Sequence, residues 1–344
     1  MTKNEESGTV ENESDVSADQ YLQAFRWMLL ARIFEDKISA LYRAGKMVGG
    51  VYVGKGQEAF SVAMGMQLDR SEGDVYGASI RDQAGRIAFG ESLLDGARTY
   101  LGSVKGPMRG RDGNIHRGRP REGTPAMISH LGASVSVVNG MLMGMRFQGK
   151  TGMVGGVCMG DGSTSTGSFH EGVNQAAIEK LPLVIAVANN QFAYSTSTDR
   201  QFACEKLVDR ALGYGIRGHS CDGTDLGDCL SVFRDAIDLA RGGDGPQMVV
   251  GKMLRLSGHG EHDDASYVSD SLKKDHFGRD CLEVARQRVL AENWMSPEDV
   301  KSTAAELQAE VDATVAQVQH EELPSPVGEK WEALSTSSLI EEKA

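Results

Sequence analysis

The stretch MVGGVCMGDGSTSTGSFHEGVNQAAIEKLPLVIAVANN, residues 153–190, decides how the rest of the chain is read. Its ends, MVGGVCM at 153–159 and LVIAVAN at 183–189, are of strand length and apolar throughout. A strand with one wet face alternates polar and apolar residues, so an unbroken apolar run predicts a parallel strand covered on both faces. Between them, GSFHEGVNQAAIEK at 167–180 reads as a crossover helix. The three pieces predict a β-α-β unit.

In a parallel sheet, ligands bind beyond the carboxyl ends of the strands. Gly160-Asp161-Gly162-Ser163 at the end of the first strand and Asn189-Asn190 at the end of the second therefore face one crevice. Asp161 supplies a hard anionic oxygen and Asn190 a neutral carbonyl oxygen. That sparse set suits a magnesium ion whose other ligands are phosphates and water. The glycines let backbone N–H groups approach a diphosphate, and the start of the crossover helix adds partial positive charge. A metal-bridged diphosphate is the expected occupant.

Outward from this unit the pattern repeats. PQMVVGKMLRL at 246–256 predicts another strand, with AIDLARGGDG before it as a helix ending at glycines. Strands alternating with helices imply an α/β fold, a doubly wound, mostly parallel sheet with helices on both faces. From Asp19 onward, Tyr21, Leu22, Phe25, Met28, Leu29 and Ile33 recur at helical steps. Residues 1–18 lack any such period and read as a disordered acidic tail. The main domain is expected over 19–290, and 291–344 as a carboxyl-terminal helical segment and tail. Ser296-Pro297-Glu298 is a helix start signal there, and the helix would either cap the core or serve a subunit contact.

A formal charge of −12 argues against a nucleic-acid partner, which needs a Lys/Arg footprint. No apolar run reaches the roughly 20 residues of a membrane-spanning helix, so no membrane association is expected. The acidic amino terminus resembles neither a secretory signal nor a transit peptide, which makes a cytoplasmic location the default. Five scattered cysteines without a CxxC pair predict reduced thiols rather than a disulfide framework or a zinc site.

GDG followed at this spacing by NN resembles the thiamine diphosphate motif. The surrounding chain resembles the alpha subunit of the pyruvate, branched-chain 2-oxo acid and acetoin dehydrogenase family. The likeness runs over about residues 20–290, through GGVYVGKGQEA, SIRDQAG, GRDGNIHRG, FHEGVNQAAIEKLPLVIAVANNQFAYST and RLSGHGEHDDASY. By position it implies that Asp161, the Asn190 side chain and the Phe192 carbonyl hold Mg2+, and that Gly160, Gly162 and Ser163 lie against the diphosphate of thiamine diphosphate. Arg81 matches a phosphate-binding arginine, whose planar fork suits phosphate oxygens. The family commonly has Tyr before it, where this chain has Ile80. Tyr52 stands where relatives often have His and would return a hydroxyl to the site. Ser129 and Leu131 match positions whose backbone holds the aminopyrimidine ring, with the Leu131 side chain supporting the bent cofactor. His259 matches a histidine on the active-site loop that assists acyl transfer, and His116 one at the active-site entrance. The residue after His259, a regulatory phosphoserine in animal relatives, is Gly260. His130, His170 and the EHDD run at 261–264 read as structural or solvated.

The resemblance also implies a division of labour. The carboxylate that activates the aminopyrimidine lies on a separate pyrimidine-binding domain in this superfamily, so a beta subunit is expected to complete an alpha-2 beta-2 heterotetramer docked on a lipoyl acyltransferase core. The implied reaction is oxidative decarboxylation of a small 2-oxo acid with acyl transfer to lipoamide. Pyruvate is favoured because the chain is compact, while acetoin and branched-chain 2-oxo acids stay open, as does a non-catalytic cofactor-binding scaffold.

Overall fold

The computed structural model describes residues 16–47, 49–111, 115–325 and 327. The acidic tail expected over 1–18 and the end of the carboxyl-terminal tail fall almost wholly outside them.

Seven strands occur among the described residues: β1 (Val75–Gly77), β2 (Gly155–Gly160), β3 (Leu183–Asn189), β4 (Phe192–Ala193), β5 (Thr196–Ser197), β6 (Arg217–Asp222) and β7 (Gln247–Lys252). Five form one sheet in the order β1-β2-β3-β7-β6, every pairing parallel. β4 and β5 make a small antiparallel ribbon just past the end of β3. The α/β sheet with helices on both faces is therefore as the sequence implies.

The apolar runs explain the layering. Along β3, Val184, Ala186 and Ala188 face one core, which includes the Ala18–Arg43 and Leu226–Arg241 helices. Leu183, Ile185 and Val187 face a second core, under the Ser134–Phe147 and Gly167–Ile178 helices. Each face of a central strand is thus apolar because each is covered. Strand order reverses where β7 inserts between β3 and β6, and such a reversal opens a crevice at the carboxyl ends.

Local signals set the helix ends. Ser17 and Gln20 form a capping box at the start of the Ala18–Arg43 helix. Ser296 caps the Pro297–Gln319 helix through Asp299 N–H, with Pro297 in the first turn. The helix starts at the expected signal, and a separate preceding helix ends at Ala291 before it. Leu307, Val311, Val315 and Val318 of the last helix are buried in the same core as the first helix, so this segment caps the core. The 246–256 strand is also shorter than expected. Pairing stops at Lys252, and the chain turns so that Arg255 reaches the crevice.

Asp74, fully buried, fastens the edge strand. Its carboxylate accepts from Asp69 N–H at 2.8 Å and Val154 N–H at 2.7 Å, and pairs with Arg241 at 2.7 Å.

Candidate functional site

A cavity of about 520 Å³ lies at the carboxyl ends of β2, β3 and β7. The register that places Gly160 opposite Ala188 brings Asp161 and Asn190 to the same level of the sheet. Of the residues the sequence singled out, Tyr52, Arg81, Ser129, Leu131, Gly160, Asp161, Gly162, Ser163, Asn190, Phe192 and His259 all line this cavity. His116 does not line it, but its Nε2 lies 2.6 Å from Ser129 Oγ, one residue back from the wall.

Backbone geometry shapes the floor. Asp161–Ser165 forms a single 3-10 turn between β2 and the Gly167–Ile178 helix, so the helix proper starts one turn farther from Asp161 than a direct strand-to-helix junction would give. A side chain on Gly160 would meet nothing within 4 Å, which leaves room above the strand end for a ligand. At Gly162 a Cβ would lie 2.4 Å from the Ala193 Cβ, so only glycine lets the turn pack on the β4–β5 ribbon. Gly132, at φ +80°, lets the Ser129–Leu131 segment close on the Thr166 cap of the crossover helix. The Leu131 carbonyl accepts from the hydroxyls of Thr166 and Ser168, while its side chain stays 55% exposed at the cavity mouth.

Two buried oxygens stand out. Asp161 accepts the Gly162 N–H with Oδ1 at 2.7 Å, yet its buried Oδ2 has no hydrogen-bond partner. Asn190 donates from Nδ2 to Gln57 Oε1 at 3.1 Å, and its buried Oδ1 is likewise unpartnered. Orphaned buried acceptors are costly. Burial pushes the Asp161 carboxyl up to about 6 despite the Gly162 hydrogen bond. Among the described residues Asp161 is also the only carboxylate in the cavity wall, and no cluster of three His, Cys, Asp or Glu side chains is placed to hold a metal.

Cations dominate the opposite wall. Arg81 and Arg255 are both buried and both face the cavity. Arg255 donates to the carbonyl of Tyr194 at 2.9 Å and of Phe192 at 3.4 Å, and contacts the Tyr267 hydroxyl. Arg81 donates to the carbonyls of Val53 at 2.9 Å and His259 at 2.6 Å. Burial, then the neighbouring Arg255, lowers its proton affinity to about 10. The His259 ring sits between Tyr52 and Tyr194, at centroid distances of 5.3 and 4.3 Å. Burial, Arg81 and Arg255 drive its pKa down to about 4.

Gln57, Tyr194 and Arg255 escaped the sequence reading. Gln57 lies inside the quoted GKGQEA segment, so its neighbourhood was visible although its partner was not. Arg255 follows the end of β7 by three residues, and the carboxyl-end rule applied to that strand would have found it. Arg81 pairs with neither of the nearby carboxylates Asp74 and Asp82. Asp74 pairs with Arg241, and Asp82 accepts from Ser79 N–H.

Comparison with known proteins agrees with this geometry. The family model described as "Dehydrogenase E1 component" matches residues 26–327. The chain is 31% identical over 295 residues to the pyruvate dehydrogenase E1 component subunit alpha of Rhizobium meliloti, covering 86% of this chain and 84% of that one. It is 30% identical over 306 residues to the alpha subunit of acetoin:2,6-dichlorophenolindophenol oxidoreductase from Cupriavidus necator, covering 89% and 91%. To the 2-oxoisovalerate dehydrogenase subunit alpha of Bacillus subtilis it is 32% identical over 281 residues, covering 81% and 84%. The chain belongs to the dehydrogenase E1 component family.

Proposed function

We propose that this chain is the alpha subunit of a thiamine-diphosphate-dependent 2-oxo acid dehydrogenase, which holds the cofactor's diphosphate through Mg2+ in the cavity at the ends of β2, β3 and β7. The observation that carries the reading is the pair of unpartnered, buried oxygens, Asp161 Oδ2 and Asn190 Oδ1, in a cavity walled by two arginines. One carboxylate and one amide oxygen fit a hard cation that takes its remaining ligands from phosphate and water. The Phe192 carbonyl, held by Arg255 here, would be the third protein ligand. Arg81 and Arg255 supply the positive charge that a diphosphate needs, and the open space above Gly160 accommodates it. Ser129 and Leu131 would hold the aminopyrimidine end. When bound, thiamine diphosphate supplies the carbon nucleophile and electron sink for decarboxylating a 2-oxo acid.

The chain's own groups orient and exclude. Tyr52, Ile115, Met127 and Tyr194 give the cavity an apolar side that keeps water from a reacting centre, and His259 faces it as a polar handle. With Asp161 committed to the cation, the described residues of the wall include no second carboxylate to polarise an aminopyrimidine ring. That group would come from a beta subunit across the open mouth beside Leu131, in an alpha-2 beta-2 assembly serving a lipoyl acyltransferase core. Pyruvate is the favoured substrate, with acetoin and branched-chain 2-oxo acids as alternatives, since all three chemistries occur among the names of the relatives.

The test is co-expression with a candidate beta chain, followed by dye reduction with each of the three substrates in the presence of thiamine diphosphate and Mg2+. Turnover that needs both chains and both small molecules is expected. A well-formed complex that binds neither Mg2+ nor thiamine diphosphate in calorimetry would overturn the assignment.

A further inference from the structure

His259 lines the cavity wall, as does His130, and its ring is bounded by two tyrosines and an arginine. Tyr52 meets it in a T-shaped contact and Tyr194 lies tilted against it, with centroids 5.3 and 4.3 Å away. On its Nδ1 edge stands the Arg81 guanidinium, with Nη2 at 3.4 Å from Nδ1 and at 2.6 Å from the His259 carbonyl oxygen. The second arm of Arg81 is tied to the Val53 carbonyl at 2.9 Å, so the fork cannot swing away from the ring without losing one buried and one part-buried hydrogen bond. A guanidinium has donors and no acceptor. A proton on Nδ1 would point at another N–H and at a positive charge, whereas a bare Nδ1 lone pair meets a donor.

We propose that Arg81 is a positioning residue that fixes His259 as the neutral imidazole with its proton on Nε2, so that the ring presents a hydrogen-bond donor, and no base, to an anionic group in the cavity. The charges around the ring act in the same direction. Arg81 and Arg255 oppose a second proton, as does His262, and only Asp263 favours one. The lowered proton affinity of His259 follows from burial and those cations. This inference rests on the function proposed above only for its use: the anionic group met by Nε2–H would be the carboxylate or developing oxyanion of the 2-oxo acid. A donor already aimed at the place where such charge develops stabilises it without reorganising.

Nitrogen NMR on the full-length, cofactor-free chain labelled with ring-15N histidine tests this, with His259→Asn used to assign the signal. In the parent, Nδ1 is expected to be unprotonated and Nε2 protonated, and this pattern is expected to persist down to about pH 6. In Arg81→Met the Nδ1 signal should move to that of an acceptor without a donor, and the ring should take up its second proton at a higher pH than in the parent, though still below the ordinary histidine value of about 6.5, because burial and Arg255 remain. Arg81→Lys keeps a cationic donor and should keep the parental pattern, which separates a lost hydrogen bond from a disordered loop. A proton on Nδ1 in the parent, or an Arg81→Met ring that still resists protonation like the parent, would overturn the proposal. Because this readout needs no cofactor and no turnover, failure of the dehydrogenase reading would leave the Arg81–His259 result standing, and the reverse.

Discussion

Replacing Asp161 by Asn should make the metal-free protein more stable while destroying its response to Mg2+. Asn keeps an acceptor for the Gly162 N–H and nearly the same shape, so the change is chiefly one of charge. The Asp161 carboxyl is 1% exposed, and its pKa rises from 3.8 to about 6 through burial. Two units correspond to ~3 kcal/mol at about 1.36 kcal/mol per unit. The sign follows from linkage: a group whose folded pKa is raised binds its proton more tightly when folded, so its contribution is present below the unfolded value of 3.8 and is lost as pH rises through about 6. The Asn variant has no such loss. Its stability advantage in EDTA should be near zero at about pH 4 and grow to ~3 kcal/mol above about pH 7, roughly 6 °C in Tm for a chain of this size. Saturating Mg2+ and thiamine diphosphate should raise the parent's Tm by ligand linkage and leave the variant's unmoved, so the two orders of stability cross. Thermal unfolding across pH, with and without the ligands, reads both. A variant no more stable than the parent at about pH 8 in EDTA would refute the buried-charge argument, and a variant that still gains Tm from Mg2+ would refute the ligand role.

Gln57→Leu should weaken magnesium-dependent cofactor binding about tenfold, because the Asn190 Nδ2 loses its acceptor and the amide is no longer held with Oδ1 free. Gln57→Glu, which still accepts, should restore it in calorimetry, and equal affinity in Gln57→Leu would remove Gln57 from the site. Gly162→Ala drives a Cβ to 2.4 Å from the Ala193 Cβ, so cofactor affinity should fall at least about tenfold with the fold retained by circular dichroism. Asp74→Asn turns two of four accepted hydrogen bonds into donors facing donors, whichever oxygen is replaced, and strips Arg241 of its counter-charge, for an expected loss of about 2–4 kcal/mol in urea unfolding.

What the sequence made legible follows one rule. Elements whose side chains are buried on both sides, such as β2, β3 and β7, announce themselves by unbroken apolar runs. Strands whose burial is set by tertiary neighbours do not. β6 reads RGHSCD and has mostly solvent-accessible residues, because it is the sheet edge and only its pairing to β7 makes it a strand. β1 is three residues long, too short to show any period, and is fixed by Asp74 and by β2. The helix start at Ser296 was legible because its cap and Pro297 are local signals.

The site divides along a similar line. Asp161 and Asn190 could be paired from sequence because each sits at the end of an apolar strand, and parallel register then forces them level. Arg255 sits three residues beyond its strand, where the chain leaves the sheet, and no periodicity extends there. Gln57 belongs to a loop that meets β3 across 133 residues of sequence, so its bond to Asn190 is a product of packing alone. These two residues nonetheless determine what the legible pair can do. Gln57 sets which atom of Asn190 faces the cavity, and Arg255 places the Phe192 carbonyl and, with Arg81, the positive field. A strand-end motif therefore locates a metal-bridged anion site, whereas the orientation of its amide and the charge of its wall come from long-range contacts that the motif does not encode. Transplanting the GDG–NN segment alone into a sheet lacking these partners would leave Asn190 free to turn its nitrogen toward the cation, and the site would lose the neutral ligand on which its selectivity for a hard ion rests.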